Sequence, residues 1–250
     1  MFEGFVLDPA VSRDFPGCQV RLVTARGLRN GEEWPATAQA IDELQAELAA
    51  GTRALAGEEH PFVASWFEAY RRFGTNPRRS RPSLNALTRR VERSGVLPRV
   101  SPAVDAYNLV SVRYGLPAGA FDLDRLSGRV VIRHSVEGDL FTPIGEPDAQ
   151  EAPKPGEVVY AQGSQVLTRH WNHRDADATK VTEESANVVF LLERVDRSAV
   201  PDEHMSEAQE RLADLVRPHA DEVVLGVLGP QCADAGPAPA GPALRAEHAG

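Results

Sequence analysis

The sequence has almost no lysine and almost no cysteine. Of its 27 cations only Lys154 and Lys180 are lysines, the remainder being arginine. That bias is the mark of GC-rich coding, and a lysine that persists against it draws attention. The two cysteines, Cys18 and Cys232, are far apart and neither has a CxxC partner. This argues against a disulfide framework or a thiolate metal site and fits a reducing compartment. No apolar run approaches the ~18 residues of a membrane span, and the opening MFEGFVLDPAV lacks the basic-then-apolar pattern of a signal peptide. A cytoplasmic location with no membrane partner is therefore expected. GxSxG, P-loop, HExxH and a post-strand GxGxxG are all missing, so the common serine-hydrolase, nucleotide and zinc-protease templates have no support and no cofactor is expected. There is no internal repeat.

What is present is an ordinary globular composition, with 250 residues, 42% hydrophobic, 25% charged and a net charge of -9. Its cations are concentrated. Between Tyr70 and Arg99 stand nine arginines (71, 72, 78, 79, 81, 89, 90, 93 and 99) against one acid, Glu92. Such a run is either a side that faces a polyanion or a solvated arginine face.

Periodicity divides the chain. Phe5 to Thr24 reads as two short strands around the turn Asp14-Phe15-Pro16-Gly17. Helices are predicted from Trp34-Pro35 to Ala50, from His60 to Phe73, from Pro82 to Gly95, and from Ser101-Pro102 to about Gly115 with Ser101 as cap. On the last of these, Asp105 and Asn108 share a polar edge. Thr75-Asn76-Pro77 breaks the second helix, because Pro77 disfavours the helical region for Asn76. The arginine-rich loop that follows can offer backbone N–H groups and guanidinium forks to phosphates. From Arg129 the period changes to that of strands: RVVIRHS, GEVVYA, SQVLTR and NVVFLLER. A final amphipathic helix from about Pro201 to Arg217 and a strand from Glu222 to Leu228 complete a single α+β domain, a mixed β-sheet with flanking helices, over residues 1–228. The Ala/Gly/Pro-rich residues 229–250 are expected to be a disordered tail.

Three stretches, RFGTNPRRSRPSLNALTRRV, LVSVRYGLPAGAFDLDRLSGRVVIRHSVEGDLFTPIGE and DATKVTEESANVVFLLE, occur in that order. Through them the chain resembles the B3/B4 domain of the bacterial phenylalanyl-tRNA synthetase beta subunit, over roughly residues 15–197. The resemblance implies a mixed α and β domain whose cavity accepts the 3′ end of a tRNA carrying the wrong amino acid, tyrosine for phenylalanine, and hydrolyses the ester. It also departs from the family at the functional positions. A histidine of the editing pocket falls at Gly119, a glutamate falls at Lys180, and the Gly-rich loop before it is replaced by Arg169-His170-Trp171-Asn172-His173-Arg174-Asp175. Tyrosine specificity therefore does not carry over.

Arg169 to Lys180 is the densest group of functional side chains in the chain. Loops of this kind on a rigid sheet are where binding and chemistry tend to sit. Asp175 can orient His173 or pair with Arg174, and a neutral imidazole can hold a water for ester attack. Lys180 can bind a carboxylate or phosphate, or act as base or nucleophile if desolvated. His170 and His173 could share a metal only with Asp175 or Asp177, so no metal is expected. The expected catalytic residues are His173, Asp175 and Lys180. Arg133, Arg169, Asn172, Arg174, Thr179, Asp105 and Asn108 are the expected substrate-binding groups, and Asn76, Arg78, Arg79 and Arg81 the RNA-binding ones. The function expected is editing-like: binding tRNA or aminoacyl-tRNA, not DNA, and hydrolysing a mischarged ester. A non-catalytic RNA-binding module, and an amino-acid-like small-molecule binder or enzyme that kept the cavity, are the alternatives.

Overall fold

The computed structural model describes residues 2–235. In chain order the elements are β1 (Phe2–Leu7), α1 (Pro9–Asp14), β2 (Gln19–Arg26), α2 (Pro35–Ala49), α3 (Pro61–Arg72), α4 (Ser83–Ser94), α5 (Pro102–Tyr114) and β3 (Ala118–Asp122). They continue as β4 (Gly128–His134), β5 (Leu140–Phe141), β6 (Val158–Gln162), β7 (Gln165–Arg169), β8 (Arg174–Asp175), β9 (Val188–Arg194), α6 (Asp202–Val216), β10 (Glu222–Leu228) and β11 (Asp234–Ala235). The α+β class expected from the sequence is the one observed. No helix among the described residues is long and apolar enough to cross a membrane.

The strands form two sheets. One has four strands in the order β10-β2-β9-β3, all antiparallel. The other runs β11-β1-β4-β6-β7-β5 with β8 also on β7, and mixes parallel pairs (β1 with β4, β5 with β7) with antiparallel ones. The strand β9 shows how they stack. All seven of its residues are buried, and its side chains alternate between two cores as a pleated strand requires. Val188, Phe190 and Leu192 pack with Ile41 and Leu44 of α2, Leu109 of α5 and Leu212 of α6. Val189 and Leu191 point the other way, to Phe5, Val130, Ile132, Tyr160 and Leu167 of the second sheet. A near-continuous apolar run is the signature of a strand covered on both faces. Helix α3 lays Trp66 and Tyr70 into the inter-sheet core, while its Val63 and Phe67 meet Leu84 of α4.

Several expectations change. Phe5 to Thr24 holds two strands as expected, but more than a turn joins them: α1 intervenes, its Asp8 cap accepting from the Ala10 N–H at 2.7 Å, and β1 and β2 enter different sheets. The apolar Val11 on α1 is fully buried, but six residues are too few for helical periodicity to stand out. Strand β3, with its Gly and Ala, went unread because it lacks β-branched residues. Pro82 is the cap of α4 and not its first residue. The chain also stays ordered past Leu228. Gly229 and Cys232 pair across a turn, and β11 pairs antiparallel with β1. The remainder of the expected tail, residues 236–250, lies outside the described residues.

Ser101 makes no side-chain cap on α5. The cap comes from a distance. Buried Asn30 accepts from the Ala103 N–H through Oδ1 at 2.8 Å and donates through Nδ2 to the Thr182 carbonyl at 2.6 Å. One side chain thus fixes the start of α5 to the segment that follows Lys180. Asn30→Ala is expected to lower unfolding free energy by about 1–3 kcal/mol, since it leaves buried backbone groups unpaired; urea titration with an unchanged midpoint would show that the cap is dispensable.

Candidate functional site

A cleft of about 640 Å³ opens between α4, α5 and the segment around Lys180. Its walls include Leu87 and Arg90 of α4, Tyr107 and Asn108 of α5, and Lys180 with Val181. Ser83, Ala120, His173 and Asp175 also line a smaller inner chamber of about 50 Å³, which continues between the two sheets to Glu193. The volume of the cleft lies within the roughly 300–1,000 Å³ of small-molecule sites.

The loop between β7 and β8 is held in an unusual shape. His170 and Trp171 both have left-handed backbones, with φ of 48° and 68°, a conformation that costs a non-glycine residue of order 1–3 kcal/mol. The burial of Trp171 offsets it. Its ring stands edge-on to Phe15 and Trp66, with centroids 5.1 and 5.3 Å away. The turn drives Trp171 inward and brings Asn172 and His173 onto the chamber wall.

Asn172 does not face substrate freely. Its Nδ2 donates to Glu193 Oε2 at 2.8 Å, and its Oδ1 accepts from the Tyr70 hydroxyl at 2.7 Å. Tyr160 donates its hydroxyl to the other Glu193 oxygen. Burial pushes the Glu193 carboxyl up to about 7, although the hydrogen bonds from Tyr160 and Asn172 pull the other way. Half-buried Asp175 accepts from Thr168 Oγ1 at 2.8 Å, and desolvation pushes its carboxyl up to about 6. His173 Nδ1 lies 2.7 Å from the Arg81 carbonyl. That oxygen can only accept, so Nδ1 carries the proton and Nε2 keeps its lone pair. Desolvation also lowers the affinity of His173 for a second proton, with Arg174 and Arg169 adding to the effect. The side chain lining both spaces is thus a neutral imidazole with an unprotonated Nε2.

Of the residues expected at the site, His173, Asp175, Lys180, Asn108 and Asn172 are brought together. Asp175 orients neither His173 nor Arg174, since Arg81 and Thr168 take those parts. Lys180 is 37% exposed and its Nζ is 2.8 Å from Asp177 Oδ1, so the desolvation that would make it a base or nucleophile is lacking. The other expected substrate groups do not line the cleft. Arg133 is spent on a bidentate pair with Asp139, both contacts 2.8 Å. Arg169 forks onto buried Glu157 at 2.9 Å and also reaches Glu151. Arg174 reaches Glu151 and Glu146. Asp105 is buried under Arg99 and the Val100 N–H, and Thr179 is buried away from both spaces.

The arginine loop is partly neutralised. Glu58 is shared by Arg78, Arg81 and Arg89, at 3.7, 3.0 and 3.4 Å. Asn76 uses its side chain on the Arg78 N–H, while Arg79 is exposed. What the sequence reading missed is Glu193, Tyr160 and Tyr70. The visible signal was an acid at the end of the apolar run VVFLL, in register with the inward-facing Val189 and Leu191. Gly119, where the resemblance placed a missing histidine, lines the inner chamber.

Residues 65–220 match the family model of the B3/4 domain. The chain belongs to the B3/4 domain family. It is similar to the phenylalanine–tRNA ligase beta subunits of Nocardia farcinica (33% identity over 146 residues, 56% of this chain and 17% of the relative) and Cutibacterium acnes (30% over 109 residues, 44% and 12%). It therefore spans less than a fifth of the length of these relatives. Among solved structures it is similar to an N-terminal fragment of the phenylalanyl-tRNA synthetase beta subunit from Pyrococcus horikoshii, with 13% identity, a TM-score of 0.44, and coverage of 89% of this chain and 50% of that one.

Glu193 keeps its proton to about 7 in the folded state, against an ordinary value of 4.5. Its contribution to stability is complete below the ordinary value and is lost as pH rises through the folded one. His170, held down to about 4 by burial, works in the opposite direction, costing stability as pH falls below 6.5. Comparing Glu193→Gln with the parent separates the two. Between about pH 5 and pH 8 the variant should gain roughly 1–3 kcal/mol relative to the parent in urea unfolding; a difference independent of pH would mean that Glu193 is ionised throughout.

Proposed function

We propose that this protein takes the aminoacylated 3′ end of a tRNA into the cleft and hydrolyses an ester joined to the wrong amino acid. One observation carries the reading: a neutral imidazole, fixed through Nδ1 to the Arg81 carbonyl, lines a ligand-sized cleft in a chain of the B3/4 family. His173 Nε2 takes a proton from water as the water oxygen adds to the ester carbonyl carbon. The bond to the ribose oxygen then breaks, that oxygen regains the proton, and free amino acid and tRNA leave. The ester is already activated, so an oriented water is sufficient and no strong protein nucleophile is required. Asp175 helps hold the water, while Asn108 and Lys180 meet the substrate at the cleft wall. Arg90, which lines the cleft, joins Arg78 and Arg79 in meeting phosphates. A cytoplasmic setting, where charged tRNA is found, agrees with this reading.

The sharing of Glu58 among three arginines favours a second reading, in which a small amino-acid-like ligand occupies the cleft without RNA. Gel shifts separate the two. The first requires tRNA affinity at low salt that falls steeply as salt rises; the second requires no tRNA affinity, with a free amino acid raising thermal stability. In a screen of mischarged tRNAs, His173→Gln should slow deacylation by about 10²–10⁴-fold with little change in tRNA affinity. Unchanged turnover would remove His173 from the mechanism.

A further inference from the structure

A second pocket, of about 390 Å³, shares only Val100 with the cleft. Its walls are the start of α2, the start of α5 with the residues just before it, and Glu183. The volume is that of a small-molecule site, and His173, Asp175, Asn108 and Lys180 are not among its lining residues. Helix α2 begins at Pro35 with no side-chain cap, so the Ala36 and Thr37 N–H groups of its first turn are left for an outside acceptor. Thr37 lines the pocket and is only 2% exposed, and its hydroxyl is buried without a hydrogen-bond partner. A buried orphan of this kind calls for a ligand or a water. Arg99, also on the wall, gives only its Nε to Asp105, which leaves both terminal nitrogens of the fork without a partner.

These donors suit an anionic oxygen. The rest of the lining is unsuited to a simple anion, since Glu33, Asp105 and Glu183 set three carboxylates against one guanidinium. Asp105 is satisfied by Arg99 and the Val100 N–H. The Glu33 and Glu183 side chains are exposed and, among the described residues, have neither an ion pair nor a hydrogen bond. A ligand that matches both halves of the pocket carries a carboxylate and an ammonium a few bonds apart.

We propose that this pocket is a binding site for a free α-amino acid, separate from the cleft. The ligand carboxylate accepts from the first turn of α2, the Thr37 hydroxyl and the Arg99 fork, while its ammonium donates to Glu33 and Glu183. Pro35, Ala38 and Val100 supply apolar wall for the side chain. The site does not depend on the cleft receiving an aminoacyl end, so either assignment can fail alone.

The test is titration calorimetry of the intact protein with glycine and the common L-α-amino acids, set against acetate, methylammonium and inorganic phosphate as probes of a single charge sign. At least one amino acid should saturate the protein at one per chain and bind at least about 10-fold tighter than any of the three probes. Thr37→Val, which keeps the shape of the side chain and removes only an unpaired hydroxyl, should weaken that binding by about 5- to 20-fold. Glu183→Gln, at an exposed position, should weaken it by about 2- to 5-fold. Lys180→Ala, at the cleft, should leave it unchanged. No saturation by any amino acid in the millimolar range, phosphate binding tighter than every amino acid, or full affinity in Thr37→Val would overturn the assignment. Affinity lost in Lys180→Ala and kept in Thr37→Val would do the same by placing the amino acid in the cleft.

Discussion

The structure depends on a carboxyl buried between two sheets. Glu193 leaves the apolar strand β9 on the inter-sheet side, where Tyr160 of the second sheet and Asn172 of the β7–β8 loop both donate to it. Asn172 in turn receives the hydroxyl of Tyr70 on α3. Four elements therefore meet through one hydrogen-bond network buried between the sheets. An unpaired acid there would be costly, so the network fixes the relative placement of sheet, loop and helix together with the shape of the chamber.

Around this point the charged residues divide into those paired within the fold and those that line the cleft. Arg133, Arg169 and Arg174 are absorbed by Asp139, Glu157, Glu151 and Glu146. The Arg169 and Arg174 pairs hold the polar connection between β5 and β6 against the second sheet, and the Arg133 pair ties β4 to the turn that leads into β5. Fully buried Glu157 accepts from the Arg169 fork and from the Lys154 N–H, so that guanidinium is aimed at acids of its own chain and away from the cleft. The cleft keeps a neutral histidine, Asp175 with its raised proton affinity and a lysine at its wall, and the inner chamber adds Glu193. Such a set suits the orientation of a water better than strong nucleophilic attack.

The long amphipathic helices and β-branched strands were legible because their periods reflect burial directly. Ile41 and Leu44 on α2, and Met205, Ala208 and Leu212 on α6, are buried as their spacing implies. His173, Asp175 and Lys180 lie close in sequence, and a turn keeps close neighbours close, so their meeting at one cleft could be read from the sequence. Arg133 and Arg169 misled for a simple reason: an arginine in a strand looks the same whether its partner is a ligand or an acid tens of residues away. Asn30, which caps a helix 73 residues on, could not be found by any local rule.

The residues alone determined the class of fold, the types of the longer elements, the family and the loop where functional groups gather, since each follows from local pattern or motif. The stacking of two sheets, the inward turn of Trp171, the burial of Glu193 and the empty space beside Gly119 were decided by the tertiary structure. Each arises from contacts between segments distant in sequence. A carboxyl's proton affinity, or the room a missing side chain leaves, exists only once the opposite wall is in place.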